Sequence, residues 1–387
     1  MARPLRIHFS VPAYWPAYSF GGPIEVVRRL AGGLRERGHD VEVFTTSLTA
    51  LDARGSARSH VEVVDDVRVH YLATPLHYRW MGLTPTLPLH LARAPRPDVV
   101  HVFGFRDPIG TGVATWCRAR GIPYVYEFLG LVTPRDRKVY LKRALDATVC
   151  RGVVPGAAGV VAASDVQRRE YIAADVADDN IVVRPHGFPE LRDGAPTGRL
   201  RELLGVPDGT PVVLSVGRIA HGKGLEILVR AAAELAGVHF AFVGPDGGHG
   251  VLDELLALRT RLGVAERVHF LGILVRPELL SLYADADAFV LPSSYESFGM
   301  VAAEAAAAGA AIVVTDRCGV AELLEDRGAL VVPYDDSAVR SALARLLDDA
   351  ELRSSLGDGA RRVATQWSWS RVVDIQENLY AHVVGDG

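Results

Sequence analysis

Two glutamates stand eight positions apart in the stretch SYESFGMVAAEAAAAG: Glu296 lies before a Phe-Gly-Met, and Glu304 lies in the alanine-rich run behind it. The apolar run DAFVLPS just before them predicts a strand, so Glu296 falls in a loop and a helix begins near residue 299. The first N–H groups of a helix have no intrahelical partner, and the helix dipole there favours an anion such as a phosphate. The predicted donors are the N–H groups of Phe298, Gly299, Met300 and Val301.

The two carboxylates could be an acid/base pair, metal ligands, or hydrogen-bond acceptors for a polyhydroxylated ligand. Glu304 sits on a helix that is otherwise small and apolar, and a buried carboxylate needs partners. Ribose hydroxyls would serve as partners, and so would a buried arginine.

Two cations occur in the glycine-rich stretch VGRIAHGKG, where Arg218 and Lys223 follow the predicted strand PVVLSVG and precede a helix over Leu225–Leu235. Two cations at the carboxyl end of a strand and near a helix N-terminus suit a diphosphate. The P-loop pattern GxxxxGK[ST] is missing. The alternative interpretation is a solvated basic turn.

Weaker signals occur elsewhere in the sequence. Gly22, in Phe-Gly-Gly-Pro before a helix, lets the backbone approach a ligand, but the spacing is not GxGxxG and a plain turn is the alternative. Asp285 and Asp287 resemble a DxD metal motif, yet they precede a strand, at the end opposite to the one where ligands bind, so a structural role is favoured. His101, in the strand-like run DVVHVFG, is either a core histidine or a cleft residue.

The chain reads as α/β, because short β-branched runs alternate with helical patterns and the runs are too apolar to face water. A segment rich in Pro, Gly and charged residues, PHGFPELRDGAPTGR, interrupts this alternation of strands and helices and is typical of an interdomain linker. The alternation restarts after it. We predict two doubly wound, Rossmann-like domains facing across a cleft, residues 1–190 and 191–365. The amphipathic stretch 366–387 predicts a terminal helix that packs on another element.

The composition is that of a globular protein, with 387 residues and a net charge of -4 that does not indicate nucleic-acid binding. Residues 1–190 carry 24 Lys and Arg against 19 Asp and Glu, whereas the remainder of the chain is acidic. The basic excess favours an anionic acceptor or a membrane surface as the partner of residues 1–190, and ordinary scatter of charges is the alternative. Three cysteines without a CxxC predict a reducing compartment and no structural metal. Without a signal-like N-terminus or a long apolar run, we expect a cytoplasmic protein, alternatively one peripheral to the inner membrane face.

Nearly the whole chain resembles the retaining glycosyltransferases of family 4, which have the two-domain GT-B fold. The resemblance rests on GGPIEVVRRLAGGLRERGHDVEVFTT, on VGRIAHGKGLEILVRAAAEL, on the run from ELLSLYADADAF to AAIVVTD, and on CGVAELLED. Glu296 and Glu304 match the E-x7-E signature of this family. The resemblance implies a sugar moved from a UDP- or GDP-hexose to a hydroxyl of a glycan, lipid-linked or small-molecule acceptor, with α stereochemistry. It also implies that the terminal helix crosses back onto the N-terminal domain.

The resemblance assigns roles to the residues above. Arg218 and Lys223 would neutralise the diphosphate, and Glu296 would hold hydroxyls of the donor sugar. The backbone of residues 298–301 would line the sugar and phosphates, Glu304 would accept from the ribose, and Gly22 would approach the phosphates from the N-terminal domain. The resemblance implies that no metal or other cofactor is needed, because enzymes of this family usually transfer without a catalytic metal.

One departure concerns the sugar site, because Leu129 stands where many relatives carry a polar residue. An apolar side chain cannot bond the hydroxyls of the sugar, so Glu127 or a neighbour substitutes, or sugar binding differs here. Aromatic residues in the N-terminal loops, Tyr18 among them, could stack on an acceptor or merely pack. We therefore take His101, Glu127 and Tyr18 as acceptor or cleft candidates.

Other functions fit part of the pattern. A sugar-nucleotide epimerase or a phosphorylase shares the architecture, a glycosidase would use the two glutamates as its carboxylate pair, and a non-enzymatic binder would only hold the nucleotide sugar. A glycosidase has no need of the phosphate-binding apparatus. The complete set of Arg218, Lys223, Glu296 and Glu304 favours a transferase over a mere binder.

Overall fold

The computed structural model describes residues 3–17, 21–50, 55–78, 81–129, 153–190, 199–274 and 276–385. The chain forms two compact units. Unit 1 comprises Met1–Pro185 together with Trp369–Gly387, and unit 2 comprises His186–Ser368. The sequence placed the corresponding borders near residues 190 and 365. The acceptor candidate Tyr18 and the Phe20 of the Phe-Gly-Gly-Pro stretch lie outside the described residues. So does the segment Lys138–Cys150, for which the sequence pattern also predicts a helix.

Unit 1 is built on a sheet whose strands run parallel, except for one antiparallel strand at its edge. The strands are β1 (Arg6–Val11), β2 (Asp40–Thr46), β3 (His60–Val64), β4 (Val67–Leu72), β5 (Leu76–Tyr78), β6 (Met81–Leu83), β7 (Val99–Phe103), β8 (Tyr124–Glu127), β9 (Gly159–Ala162) and β10 (Ile181–Val183). The helices are α1 (Gly22–Glu36), α2 (Leu87–Arg93), α3 (Pro108–Arg120) and α4 (Asp165–Ile172). The sheet order is β10-β9-β8-β7-β1-β2-β4-β3, and β5 and β6 form a separate hairpin. A 3-10 turn at Asp178–Asn180 leads into β10.

Unit 2 repeats the alternation around a six-stranded, wholly parallel sheet. Its strands are β11 (Val212–Val216), β12 (His239–Val243), β13 (Val268–Gly272), β14 (Ala288–Leu291), β15 (Ile312–Thr315) and β16 (Ala329–Val332). Its helices are α5 (Arg199–Leu204), α6 (Leu225–Glu234), α7 (Val251–Arg261), α8 (Arg276–Asp285), α9 (Met300–Ala308), α10 (Ala321–Leu324), α11 (Asp336–Asp348) and α12 (Ala350–Gln366). The sheet order is β13-β12-β11-β14-β15-β16. The predicted class, two doubly wound α/β domains, is confirmed.

The last helix, α13 (Trp369–Gly385), returns to unit 1, as the amphipathic pattern and the resemblance predicted. It lies so close to α1 that a Cβ added to Gly33 would be 2.6 Å from the Cγ2 of Val373. Arg37 of unit 1 donates to Glu377 at 2.9 Å and to the carbonyl of Ser370 at 2.7 Å. Apolar packing and a polar rim together hold the helix on unit 1.

Local chemistry explains the helix ends. Pro23 is preset for the first turn of α1, whose buried side chains at Val27, Leu30 and Leu34 recur at helical spacing. The carboxylate of Asp335 accepts from the N–H groups at the start of α11, which the first turn cannot bond itself. Within the described residues, no helix is both long enough and apolar enough to cross a bilayer.

Candidate functional site

The predicted site of unit 2 lies where its strand order reverses. From β11 the chain adds β12 and β13 on one side, and β14, β15 and β16 follow on the other, so β11 and β14 are neighbours. In open α/β sheets, ligands bind beyond the carboxyl ends of the strands at this switch point. The loop of Arg218 and Lys223 leaves β11, and the loop of Glu296 leaves β14. The structure therefore brings these two sequence motifs together.

The two loops are fastened to each other by the backbone. The carbonyl of Gly222 accepts from the N–H of Ser294 at 2.8 Å and from its hydroxyl at 3.1 Å. Gly224, which precedes α6, has φ +66, and a Cβ added there would be 2.0 Å from the carbonyl oxygen of Pro292. Only glycine fits such a close approach, so the sequence GKG directly sets the position of Lys223 beside the β14 loop.

Lys223 and Glu296 form the ion pair at the centre of the site. The Lys223 ammonium donates to Oε1 of Glu296, and the two side chains are 26% and 18% exposed. Ser293 donates its hydroxyl to the same oxygen at 3.1 Å. The backbone of Glu296 is also held, because its N–H donates to the carbonyl of Arg317 at 3.0 Å and its carbonyl accepts from Gly319 at 3.1 Å. Glu296 is thus held by a cation, a hydroxyl group and two backbone hydrogen bonds.

Arg218 is exposed, and its side-chain stem packs over the backbone of Gly247. The neighbouring Ile219 is bonded to the segment after β12, donating to Pro245 at 2.9 Å and accepting from Gly247 at 2.8 Å. Arg218 and Lys223 line one small pocket at the carboxyl ends of the strands. The other lining residues are Ser215, Val216, Gly217, Ile219, Leu225, Phe242, Val243 and Leu291. Two cations therefore line this pocket.

Helix α9 begins at Met300, as the sequence predicted, with Gly299 as its N-cap in the left-handed region at φ +105. Phe298 is buried and packs edge-on against the ring of His186 at 5.1 Å. Met300 and Val301 are partly exposed. The first N–H groups of α9 and the positive end of its dipole lie directly after the loop of Glu296, where an anion would be stabilised.

Glu304 lies one turn inside α9, between buried alanines. Its Oε2 accepts a hydrogen bond of 2.9 Å from the hydroxyl of Tyr283, a fully buried residue of α8. The sequence did not single out Tyr283 or Ser293. A hydroxyl three residues before Glu296 was a usable signal for Ser293, whereas Tyr283 is distant in sequence and gives none.

The DxD-like pair has structural partners. Asp285 accepts from the N–H of Leu200 at 3.1 Å, and Asp287 accepts from Arg201 at 2.6 Å and from the N–H of Val212 at 2.8 Å. These bonds fasten α5 to the start of the sheet. Across the part of the chain that the structure describes, no cluster of three or more His, Cys, Asp or Glu side chains could hold a metal ion.

In unit 1, Gly22 is the exposed first residue of α1, which follows β1. His101 and Glu127 lie inside the unit, with side chains 0% and 1% exposed. His101 Nδ1 lies 2.6 Å from the hydroxyl of Tyr380 on α13, and its Nε2 lies 3.4 Å from Oε2 of Glu127. The buried Arg184 donates to the same carboxylate oxygen.

Burial lowers the pKa of His101, although Glu127 opposes that shift, and burial raises the pKa of Tyr380 well above its usual value. This placement favours the core-histidine alternative for His101. It pairs Glu127 with the charge of Arg184 inside the unit, away from the solvent from which an acceptor substrate would come. The sequence missed Arg184 and Tyr380 as members of this network. Leu129 is half-buried and follows β8 by two residues.

Known proteins resemble both halves of the chain. Residues 21–187 match the family described as "Glycosyl transferase 4-like domain", and residues 197–363 match "Glycosyl transferases group 1". The chain is 31% identical to the D-inositol 3-phosphate glycosyltransferase of Salinispora tropica, over 99% of this chain and 85% of that protein.

Solved structures share the fold. Sucrose-phosphate synthase from Thermosynechococcus elongatus superposes with a TM-score of 0.80 at 22% identity, over 99% of this chain and 100% of that chain. Anabaena HepE in complex with UDP-glucose superposes with a TM-score of 0.74 at 22% identity, over 97% and 99% of the two chains. At such identities the likeness establishes the fold alone.

Proposed function

Because the chain belongs to the family 4 glycosyltransferases and has their GT-B fold, we propose that it moves a hexose from a UDP- or GDP-sugar to a hydroxyl acceptor with retention. Family membership makes the protein an enzyme that uses a nucleotide sugar. The observation that carries the finer proposal is the Lys223–Glu296 pair, which lies beside the N-terminus of α9 at the switch point of unit 2.

Arg218, Lys223 and the first turn of α9 are proposed to stabilise the departing nucleoside diphosphate. The sugar leaves through an oxocarbenium-like state while negative charge grows on the phosphate, and preorganised cations and N–H dipoles stabilise that charge. The structure pairs the Lys223 ammonium with the Glu296 carboxylate. With donor bound, the ammonium interacts with the diphosphate, and Glu296 accepts from hydroxyls of the sugar.

Retention is proposed to follow from attack on the same face that the leaving group occupies. The departing phosphate oxygen takes the proton of the acceptor hydroxyl, so no protein nucleophile is needed. The positive charge of Arg218 and Lys223 supplies the leaving-group stabilisation that a metal provides in other transferases. Water must be kept away from the activated sugar, because it would hydrolyse the donor.

UDP-glucose is the first donor to test, since the structural neighbour HepE was solved with it. D-inositol 3-phosphate is the first acceptor to test, since the relative from Salinispora tropica is named for it. The excess of basic residues in residues 1–190 also favours an anionic acceptor. Gly22 at the start of α1 is proposed to contact the donor phosphates. The predicted peripheral membrane location stays a prediction.

The experiment combines a donor screen with product analysis. Thermal shift with a panel of UDP- and GDP-hexoses identifies the donor, because a ligand that binds the native state raises its apparent stability. Product from that donor and an acceptor panel is then examined by NMR for the anomeric configuration, with and without EDTA. We expect an α-linked product and an unchanged rate in EDTA. An inverted product or strict metal dependence would contradict the proposed mechanism, and hydrolysis of simple glycosides without nucleotide would favour the glycosidase.

A further inference from the structure

Glu304 is the one acidic side chain of α9, a helix otherwise made of alanines with Met300 and Val301 at its start. It lies four positions after Met300, which places it about 6 Å along the axis from the helix start. If the diphosphate lies at the start of α9, the distance from the phosphates to Glu304 is about the length of one sugar ring, which is where the ribose would lie. A glutamate has three rotatable side-chain bonds, so its carboxylate must be held if it is to meet two hydroxyls at once.

Tyr283 provides a support for that carboxylate. Its hydroxyl donates to Oε2 of Glu304 at 2.9 Å, and the residue is 0% exposed. Its ring packs edge-on against Phe289 of β14 with centroids 5.4 Å apart. The hydroxyl is therefore presented from a fixed ring that rests on the sheet, and its bond to a charged acceptor is of the stronger kind.

We propose that Tyr283 is a positioning residue that orients the carboxylate of Glu304 toward the vicinal hydroxyls of the donor's ribose, and so makes the site selective for ribonucleotides over deoxyribonucleotides. The inference rests on the proposed function, in which Glu304 accepts from the ribose. A site built to bond a hydroxyl rejects the analogue that lacks it, because the polar group of the site is then left without a partner. The rejection is strong only when that group is already oriented.

The test measures a ratio that a merely structural role would not change. The dissociation constants of UDP and 2′-deoxy-UDP are measured by calorimetry for the wild-type chain and for Tyr283→Phe, which removes the hydroxyl and keeps the ring. If UDP does not bind, GDP and 2′-deoxy-GDP are used. We expect Tyr283→Phe to reduce the preference for the ribonucleotide by about three- to tenfold, the size expected for one hydrogen bond. The affinity for the deoxy form should change less than about twofold.

Tyr380→Phe is the matched control, because Tyr380 is another fully buried tyrosine whose hydroxyl bonds a side chain, here His101 in unit 1. It should leave the ratio unchanged. An unchanged ratio in Tyr283→Phe, or an equal fall in Tyr380→Phe, would overturn the inference.

Glu304→Ala, which removes the acceptor in a helix already rich in alanine, separates this inference from the proposed function. If Glu304→Ala removes the preference while Tyr283→Phe keeps it, only the role of Tyr283 is wrong. If Glu304→Ala keeps the wild-type preference, the ribose role of Glu304 is wrong, and the inference is wrong with it. Failure of the wild-type chain to bind either nucleoside diphosphate would overturn the donor site itself.

Discussion

Replacing Glu127 by alanine removes the carboxylate that Arg184 and His101 share inside unit 1. Both partners are 0% exposed, so the guanidinium is left buried without this counter-charge once the carboxylate is gone. Breaking a buried ion pair from one side leaves an uncompensated charge and lowers the free energy of unfolding by about 3–5 kcal/mol. Tyr380→Phe removes only one hydrogen bond and should lower it by about 1 kcal/mol.

Hydrogen exchange measures this loss in unit 1 alone, which matters because two units need not unfold together. The protection factors of amides in β7 and β8 should fall by between about two and four powers of ten. This range follows because each loss of about 1.4 kcal/mol in the free energy of unfolding lowers a protection factor about tenfold. Amides of β11 and β12 in unit 2 are the internal reference and should not change. The double variant Glu127→Leu with Arg184→Met should regain most of the protection, since apolar residues can replace a buried pair. Protection of β7 that stays within a factor of ten of wild type in Glu127→Ala would refute the reasoning.

Two further predictions concern acid and backbone strain. Burial lowers the pKa of His8 to about 4 from 6.5, so between these values the unfolded chain binds the proton and the native one does not. The stability of unit 1 should therefore fall by about 3 kcal/mol as pH drops from 7 to 4, and the His8→Leu variant should lack this component in pH-dependent denaturation. Gly224→Ala should lower the stability of unit 2 by more than about 2 kcal/mol, because the added Cβ would meet the carbonyl of Pro292. Gly237 has a similar φ of +75 but no atom within 4 Å of an added Cβ, so Gly237→Ala should lower the stability by only about 1 kcal/mol. Urea titrations measure both losses. Equal losses in the two glycine variants would contradict the close approach.

Most of the sheet could be predicted, because parallel strands buried on both faces are continuous apolar runs in the sequence. The strand β3 was missed: its sequence, HVEVV, contains three valines, but it is a short edge strand whose first four residues are exposed. The hairpin of β5 and β6 was also missed, since three-residue strands are too short for a periodic pattern.

The site was predictable where chemistry is local in sequence. The positions of Lys223 and Glu296 in loops directly after apolar strands predicted their placement, and the structure brings the two side chains together. Burial of Glu127 was not predictable, because its partner Arg184 is 57 residues away and α13 supplies the neighbouring Tyr380. Tyr283 was missed for the same reason, as its contact with Glu304 depends on how α8 packs against α9. The functional roles of these residues remain predictions.

Turnover of Lys223→Ala tests the central claim most directly. Arg340→Ala is the control, since it also removes one cation from unit 2 but only breaks a surface pair with Glu234 on α6. With the donor and acceptor identified by the screen, Lys223→Ala should lower kcat for transfer by about 10²- to 10³-fold, the usual loss for one preorganised charge-stabilising group. Hydrogen exchange in β11 and β14 should stay native-like, and the control should keep its rate. A folded Lys223→Ala variant that transfers the sugar at the wild-type rate would contradict the account.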